Sequence, residues 1–171
     1  MIRKNIILSY VLLLILQILL CNYLQLSPYV TLSVLPLLIL MLPTRVGALP
    51  AMIIAFISAL SVDFLAEGVV GINALALVPV ALLRQPIIRL VFGDEIYSRQ
   101  EDISIRRHGL LKMTVALILA QSTFLIIYVW ADAAGARSFS FCLVRFILSL
   151  LSGVLVSLPL SRTLSLDERE L

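Results

Sequence analysis

Gly47-Ala48-Leu49-Pro50-Ala51-Met52-Ile53-Ile54-Ala55-Phe56-Ile57-Ser58-Ala59-Leu60-Ser61-Val62-Asp63 is a helix-length stretch with no charge until its last residue. Small residues recur every four positions, at Gly47, Ala51, Ala55 and Ala59. That period places them on one face of a helix, where they let a second helix approach closely. Asp63 then closes an apolar run from Ala48 to Val62. An ionisable group at membrane depth is costly, so it is normally paired or functional. Directly downstream stands Glu67-Gly68-Val69-Val70-Gly71-Ile72-Asn73-Ala74-Leu75. The stretch predicts a membrane helix built for close packing, with polar groups gathered at one end.

The rest of the chain agrees with a membrane class. Of 171 residues, 61% are hydrophobic and only 13% charged, and the mean hydropathy is +1.11. Soluble domains carry about a quarter charged residues. The apolar residues fall in runs near the roughly 20 needed to cross a bilayer, which leaves no room for a soluble domain. The net charge of +3 does not imply nucleic acid here, because basic residues of membrane proteins mark cytoplasmic loops. Arg3-Lys4 before a long apolar run resembles a signal peptide, but no small-residue cleavage site follows. The bulky Leu20 before Cys21 argues against a lipoprotein site. The first segment is read as a retained helix.

Six spans are expected: Asn5 to Leu24, Val30 to Leu42, Val46 to Leu65, Val69 to Phe92, Leu110 to Ala131, and Phe139 to Leu160. Together they form one all-α integral membrane domain over 1–171, with a charged loop at 93–109 and a polar tail at 161–171. The second span is only thirteen residues and carries Pro36, so it is tilted, broken or re-entrant. With the N-terminus inside, eleven of the thirteen basic residues fall on the inner side: Arg3, Lys4, Arg45, Arg84, Arg89, Arg99, Arg106, Arg107, Lys112, Arg162 and Arg169. Both termini and the 93–109 loop are then cytoplasmic.

This orientation gives depth to the polar residues. Asp63 and Asn73 lie near the outer side, as does Gln17 in the outer half of the first span. Arg145 lies about 9 Å below the outer end of the last span at 1.5 Å per residue. The last span has its own four-residue ladder, Arg145, Ser149, Gly153, Ser157 and Ser161. The third and sixth spans are expected to pack on each other, or each on a partner, with Asp63 and Arg145 paired. The alternative is that Arg145 snorkels to head groups and Asp63 meets water. The outer polar set could also line a small-molecule pocket. Cys21 and Cys142 near outer helix ends could be free thiols or a disulfide.

Catalytic signatures are missing. There is no G-x-x-x-x-G-K loop, no G-x-S-x-G elbow and no H-E-x-x-H. His108 stands alone, and Asp63 with Glu67 is the only close acid pair beside a span. Neither an enzyme nor a cofactor or metal is expected. The basic end of the 93–109 loop, Arg106-Arg107-His108 with Lys112, suits anionic lipid head groups or a cytoplasmic partner.

Several of these segments resemble the MreD family of rod shape-determining proteins. Gln17 to Gln25 is similar to the end of that family's first helix, and Leu35-Pro36-Leu37 to its second. Ala55 to Asp63, followed by Gly71-Ile72-Asn73-Ala74-Leu75, resembles its main signature, and Arg84 fits its basic residue in the fourth helix. Ala55 and Ala59 stand where the family often has glycine. The resemblance implies a non-enzymatic scaffold of the cell-elongation complex in the bacterial cytoplasmic membrane. It implies binding to the bitopic protein MreC, beside MreB and the elongation-specific transpeptidase and glycosyltransferase. It also implies a six-helix bundle like the substrate-binding subunits of energy-coupling-factor transporters. A ligand-binding subunit of such a transporter is the alternative function.

Overall fold

The computed structural model describes residues 2–23, 29–67, 69–96, 109–134 and 136–166, and is all-helical among them. Its helices are α1 (Ile2–Tyr23), α2 (Leu35–Leu40), α3 (Ala48–Val62), α4 (Ile72–Phe92), α5 (Leu110–Ala133) and α6 (Phe139–Leu166). A π-helical turn, Asp63–Glu67, prolongs α3. Four helical stretches are long and apolar enough to cross a membrane: Ala48–Ala66, Ile72–Phe92, Leu110–Ala133 and Phe139–Arg162. A shorter apolar helix, Leu8–Tyr23, accompanies them. Large apolar side chains remain exposed along every one of these helices, as at Leu155 (73%) and Leu90 (78%). A water-soluble monomer does not leave so continuous an apolar surface. The chain is therefore read as a multi-pass membrane protein. Residues 97–108 of the charged loop and 167–171 of the tail lie outside the described residues.

The predicted second helix, Val30 to Leu42, is corrected by the structure. Only Leu35–Leu40 is helical, and residues 31–34 before it form no helix. Pro36 is the reason. In a continuous helix its N–H would donate to the carbonyl of Leu32, and proline has none. Val30, Thr31 and Val34 are β-branched and weaken helix further. The segment nevertheless sits in the middle of the protein. Val34 to Leu40 are all at most 1% exposed, apart from Pro36, which is also buried.

Helix neighbours also differ from expectation. The third and sixth spans do not pair: α3 packs along α4, α4 along α5, and α5 along α6. The α3 ladder faces inward, with Ala51, Ala55 and Ala59 at 0–1% exposure. Gly47 stands apart from that face, as the extended N-cap of α3 (φ −64°, ψ 171°). Pro50 then sits in the first turn of α3, where a missing N–H costs nothing. The α6 ladder serves α5. Ser149, Ser157 and Ser161 are buried, and a Cβ on Gly153 would overlap the Gln121 amide and lie 3.0 Å from its Cδ. Glycine is needed there for close approach. α1 is attached through a hydrogen bond of 2.6 Å between Tyr10 and Ser58. Ser58 Oγ donates its one hydrogen to the Ile54 carbonyl, so Tyr10 is the donor.

Arg84, counted above among the inner-side basic residues of the fourth span, is a core residue of α4. It is 1% exposed. Its guanidinium donates to the carbonyls of Leu42, Pro43 (3.0 Å) and Val46 (3.3 Å), where the chain turns from α2 into α3. A short helix followed by a turn leaves these carbonyls without helical partners, and one planar cation gathers all three. Replacing Arg84 with Leu removes all three bonds, and of these carbonyls that of Pro43 keeps the N–H of Val46 at 3.0 Å. The expected loss is about 3 kcal/mol, from charge-assisted bonds and the desolvated acceptors left behind. A fall of about 10 °C in the unfolding midpoint of the detergent-solubilised protein would register it.

Candidate functional site

The sequence gathers its notable polar residues into one imagined outer cluster, and the structure divides them into two. The first is the corner between α3 and α4. Asp63 ends the α-helical part of α3, and its own N–H still bonds Ala59 and Leu60. The chain returns through Gly71, whose φ of 107° lies in the left-handed region that glycine adopts freely. This return brings the start of α4 back onto Asp63. The carboxylate accepts the N–H of Gly71 (2.7 Å), the N–H of Asn73 (3.2 Å) and the side-chain amide of Asn73 (2.8 Å). Asp63 thus caps α4 from a distance, satisfying free N–H groups at the positive end of its dipole. Asp63 is 0% and Asn73 2% exposed.

The second cluster surrounds the non-helical residues 31–34. Gln17 of α1 accepts the N–H of Val34 at its Oε1 (2.6 Å), and its Nε2 donates to the carbonyl of Leu32 (3.3 Å) and to Cys21 Sγ (3.1 Å). Gln121 of α5 donates to the carbonyl of Ser33 at 3.1 Å. Ser149 of α6 accepts the N–H of Thr31 at 2.8 Å. Arg145 donates from Nε and Nη2 to Thr31 Oγ1, at 3.1 and 2.9 Å. Its remaining nitrogen pairs with Asp132 at the end of α5. The expected pair of Asp63 with Arg145 is therefore not formed, because α3 and α6 each lie against other helices. Each charge has a nearer partner across its own hairpin turn.

Aromatic rings crowd the α5–α6 end of this cluster. Tyr29 packs on Phe141 at 4.9 Å, and Trp130 meets Phe139 edge-on at 6.5 Å. The Arg137 guanidinium lies 4.7 Å from the Phe141 ring centre, and that of Arg145 lies 5.8 Å from Tyr128. Trp and Tyr beside arginine at a helix end match the composition of a membrane–water boundary. Cys21 and Cys142 are free thiols. Among the described residues, no three His, Cys, Asp or Glu side chains are grouped to hold a metal ion.

Sequence reasoning singles out Gln17, Asp63, Asn73, Arg145 and Ser149 but misses Thr31, Ser33 and Asp132 as their partners. Asp132 lies one residue before the end of α5 and Arg145 six residues into α6, so the pair depends on the long arginine side chain reaching back toward the turn and not on equal spacing from it. No family model, curated protein or solved structure matches this chain.

The Asp63 corner should be a stability element. Asp63→Leu leaves two backbone N–H groups and the Asn73 amide without their acceptor and should cost about 3 kcal/mol. Asp63→Asn keeps one carbonyl oxygen and should cost roughly half as much. Thermal unfolding of the two variants in the same detergent would order them.

Proposed function

We propose that this protein is a non-enzymatic membrane scaffold of the MreD type, acting in cell-wall elongation. On this reading it resides in the bacterial cytoplasmic membrane with both termini cytoplasmic. It crosses six times, residues 29–47 supplying a broken second pass, in a bundle like the substrate-binding subunits of energy-coupling-factor transporters. It holds MreC, and through it works beside MreB and the elongation-specific transpeptidase and glycosyltransferase.

The observation that carries the proposal is how the intramembrane polar groups are used. The stretch with the family resemblance, Ala55–Asp63 with Gly71–Leu75, folds into one corner whose carboxylate is spent on Gly71 and Asn73. Gln17, Gln121, Ser149 and Arg145 are spent on residues 31–34. Side chains committed to the protein's own groups favour a rigid body presenting a fixed surface. A catalyst or a ligand-binding subunit would aim such groups at a reactant or a void. The scaffold's partner-binding surface then belongs to exposed faces of the helices. The ladder Ala51, Ala55 and Ala59 supports it indirectly, by holding α3 on α4.

A pulldown of the tagged protein in mild detergent, with mass spectrometry of bound proteins and small molecules, tests the reading. Wild type should recover a bitopic MreC-like protein with wall-synthesis enzymes. Asp63→Ala should lower that recovery in step with its loss of thermal stability. Recovery of a vitamin-sized molecule with an ATPase module would replace the scaffold with the transporter subunit.

A further inference from the structure

Ser33 and Val34 are buried and Thr31 and Leu32 half-buried, and the groups that hold this segment reach the surface at one point. Asp132 has 28% of its side chain exposed and Arg145 has 12%. The groups below them are closed off: Ser33 and Gln17 at 2%, Gln121 at 1% and Ser149 at 0%. The contacts lead inward from the accessible carboxylate in two groups, joined by the main chain of residues 31–34. Asp132 binds Arg145, Arg145 binds the Thr31 hydroxyl twice, Thr31 N–H binds Ser149, and Gln17 binds Leu32 and Val34. Gln17 carries the chain of contacts on to Cys21 Sγ.

We propose that Asp132 and Arg145 form a surface-operated latch that sets the position of the non-helical segment 31–34. The reason is electrostatic. A guanidinium at this depth is held down by its anion and by Thr31. Without the anion it is better solvated at the boundary, which its flexible stem lets it reach. Swinging outward takes both donors away from Thr31. The segment has no helical ladder of its own at 31–33, so nothing local replaces the lost bonds. The release passes to Gln17 and frees Cys21 from its amide. The chemistry that would operate the latch is a cationic group engaging the exposed Asp132 carboxylate, which competes directly with Arg145. This device does not depend on the scaffold reading.

The native thiol and amides report on it. The full-length protein in lipid nanodiscs would be compared as wild type, Asp132→Asn, Asp132→Glu and Arg137→Gln. The readouts are amide hydrogen exchange and peptide-resolved maleimide labelling of Cys21. Asp132→Asn should speed exchange at Thr31 and Val34 by at least about tenfold, the effect of losing a charge-assisted bond on a local opening. Cys21 labelling should accelerate with it, while Gly71 and Asn73 at the α3–α4 corner exchange as in wild type. Asp132→Glu keeps the charge and should stay near wild type. Arg137→Gln removes a neighbouring charge outside the latch and should do the same. Unchanged exchange and labelling in Asp132→Asn would overturn the proposal. So would equal acceleration at Gly71 and Asn73, since that is general loosening.

Discussion

A peptide backbone that leaves the helical path inside an apolar medium must find hydrogen-bond partners elsewhere. Each group left without one costs several kcal/mol. Residues 31–34 impose that demand on the whole protein. Pro36 prevents a helix from reaching back through them, so their amides and carbonyls call on side chains of α1, α5 and α6. Gln17 answers with both ends of its amide, Gln121 with its donor end and Ser149 with its hydroxyl. Gly153 is small because the Gln121 side chain lies where a Cβ would go. Arg84 meets the same demand at the far end of α2, where three carbonyls emerge together.

This constraint gives meaning to polar residues that look functional in isolation. A glutamine or arginine in a membrane helix invites a search for a ligand or an ion path. Here Gln17, Gln121 and Arg84 are spent on the protein's own main chain, and Arg145 on the Thr31 hydroxyl and the Asp132 carboxylate. The same holds for Asp63, whose carboxylate replaces the first hydrogen bonds that α4 cannot make for itself. The two hairpins α3–α4 and α5–α6 are thus each pinned near the turn by an acid, Asp63 in one and Asp132 in the other. The first acid is wholly buried and pairs with N–H groups. The second is partly exposed and pairs with a cation.

Much of this was legible in the sequence. The long apolar runs gave α3, α4, α5 and α6 with boundaries close to those observed, and the four-residue ladders marked the faces that became buried. Asp63 and Asn73 were both placed near one side, but Asp63 was assigned to Arg145 and its bonds to Asn73 were missed. Helix neighbours were not legible, because a ladder of small residues states that something approaches closely without naming what does. The α3 ladder was therefore assigned to α6 or to another protein, and α4, its actual neighbour, was missed. The state of residues 31–34 was half legible: Pro36 announced a break, but the Val and Leu around it suit a buried extended segment as well as a helix. Arg84 was placed in the fourth helix, but counting it among the inner-side basic residues did not show that its charge is spent on the main chain. Its carbonyl partners at residues 42–46 become visible only when the turn from α2 into α3 is built.

The dependence of residues 31–34 on Gln121 and Ser149 has a consequence for biogenesis. Ser33 leaves the ribosome 88 residues ahead of Gln121, and Thr31 118 residues ahead of Ser149. A continuous membrane helix satisfies its own backbone and can be released into lipid as soon as it is made. This segment cannot. Until α5 and α6 have been synthesised, its polar main chain must be sheltered by water, by the insertion machinery or by a temporary structure. Proline at position 36 thereby ties the completion of an early part of the chain to the arrival of its last helix.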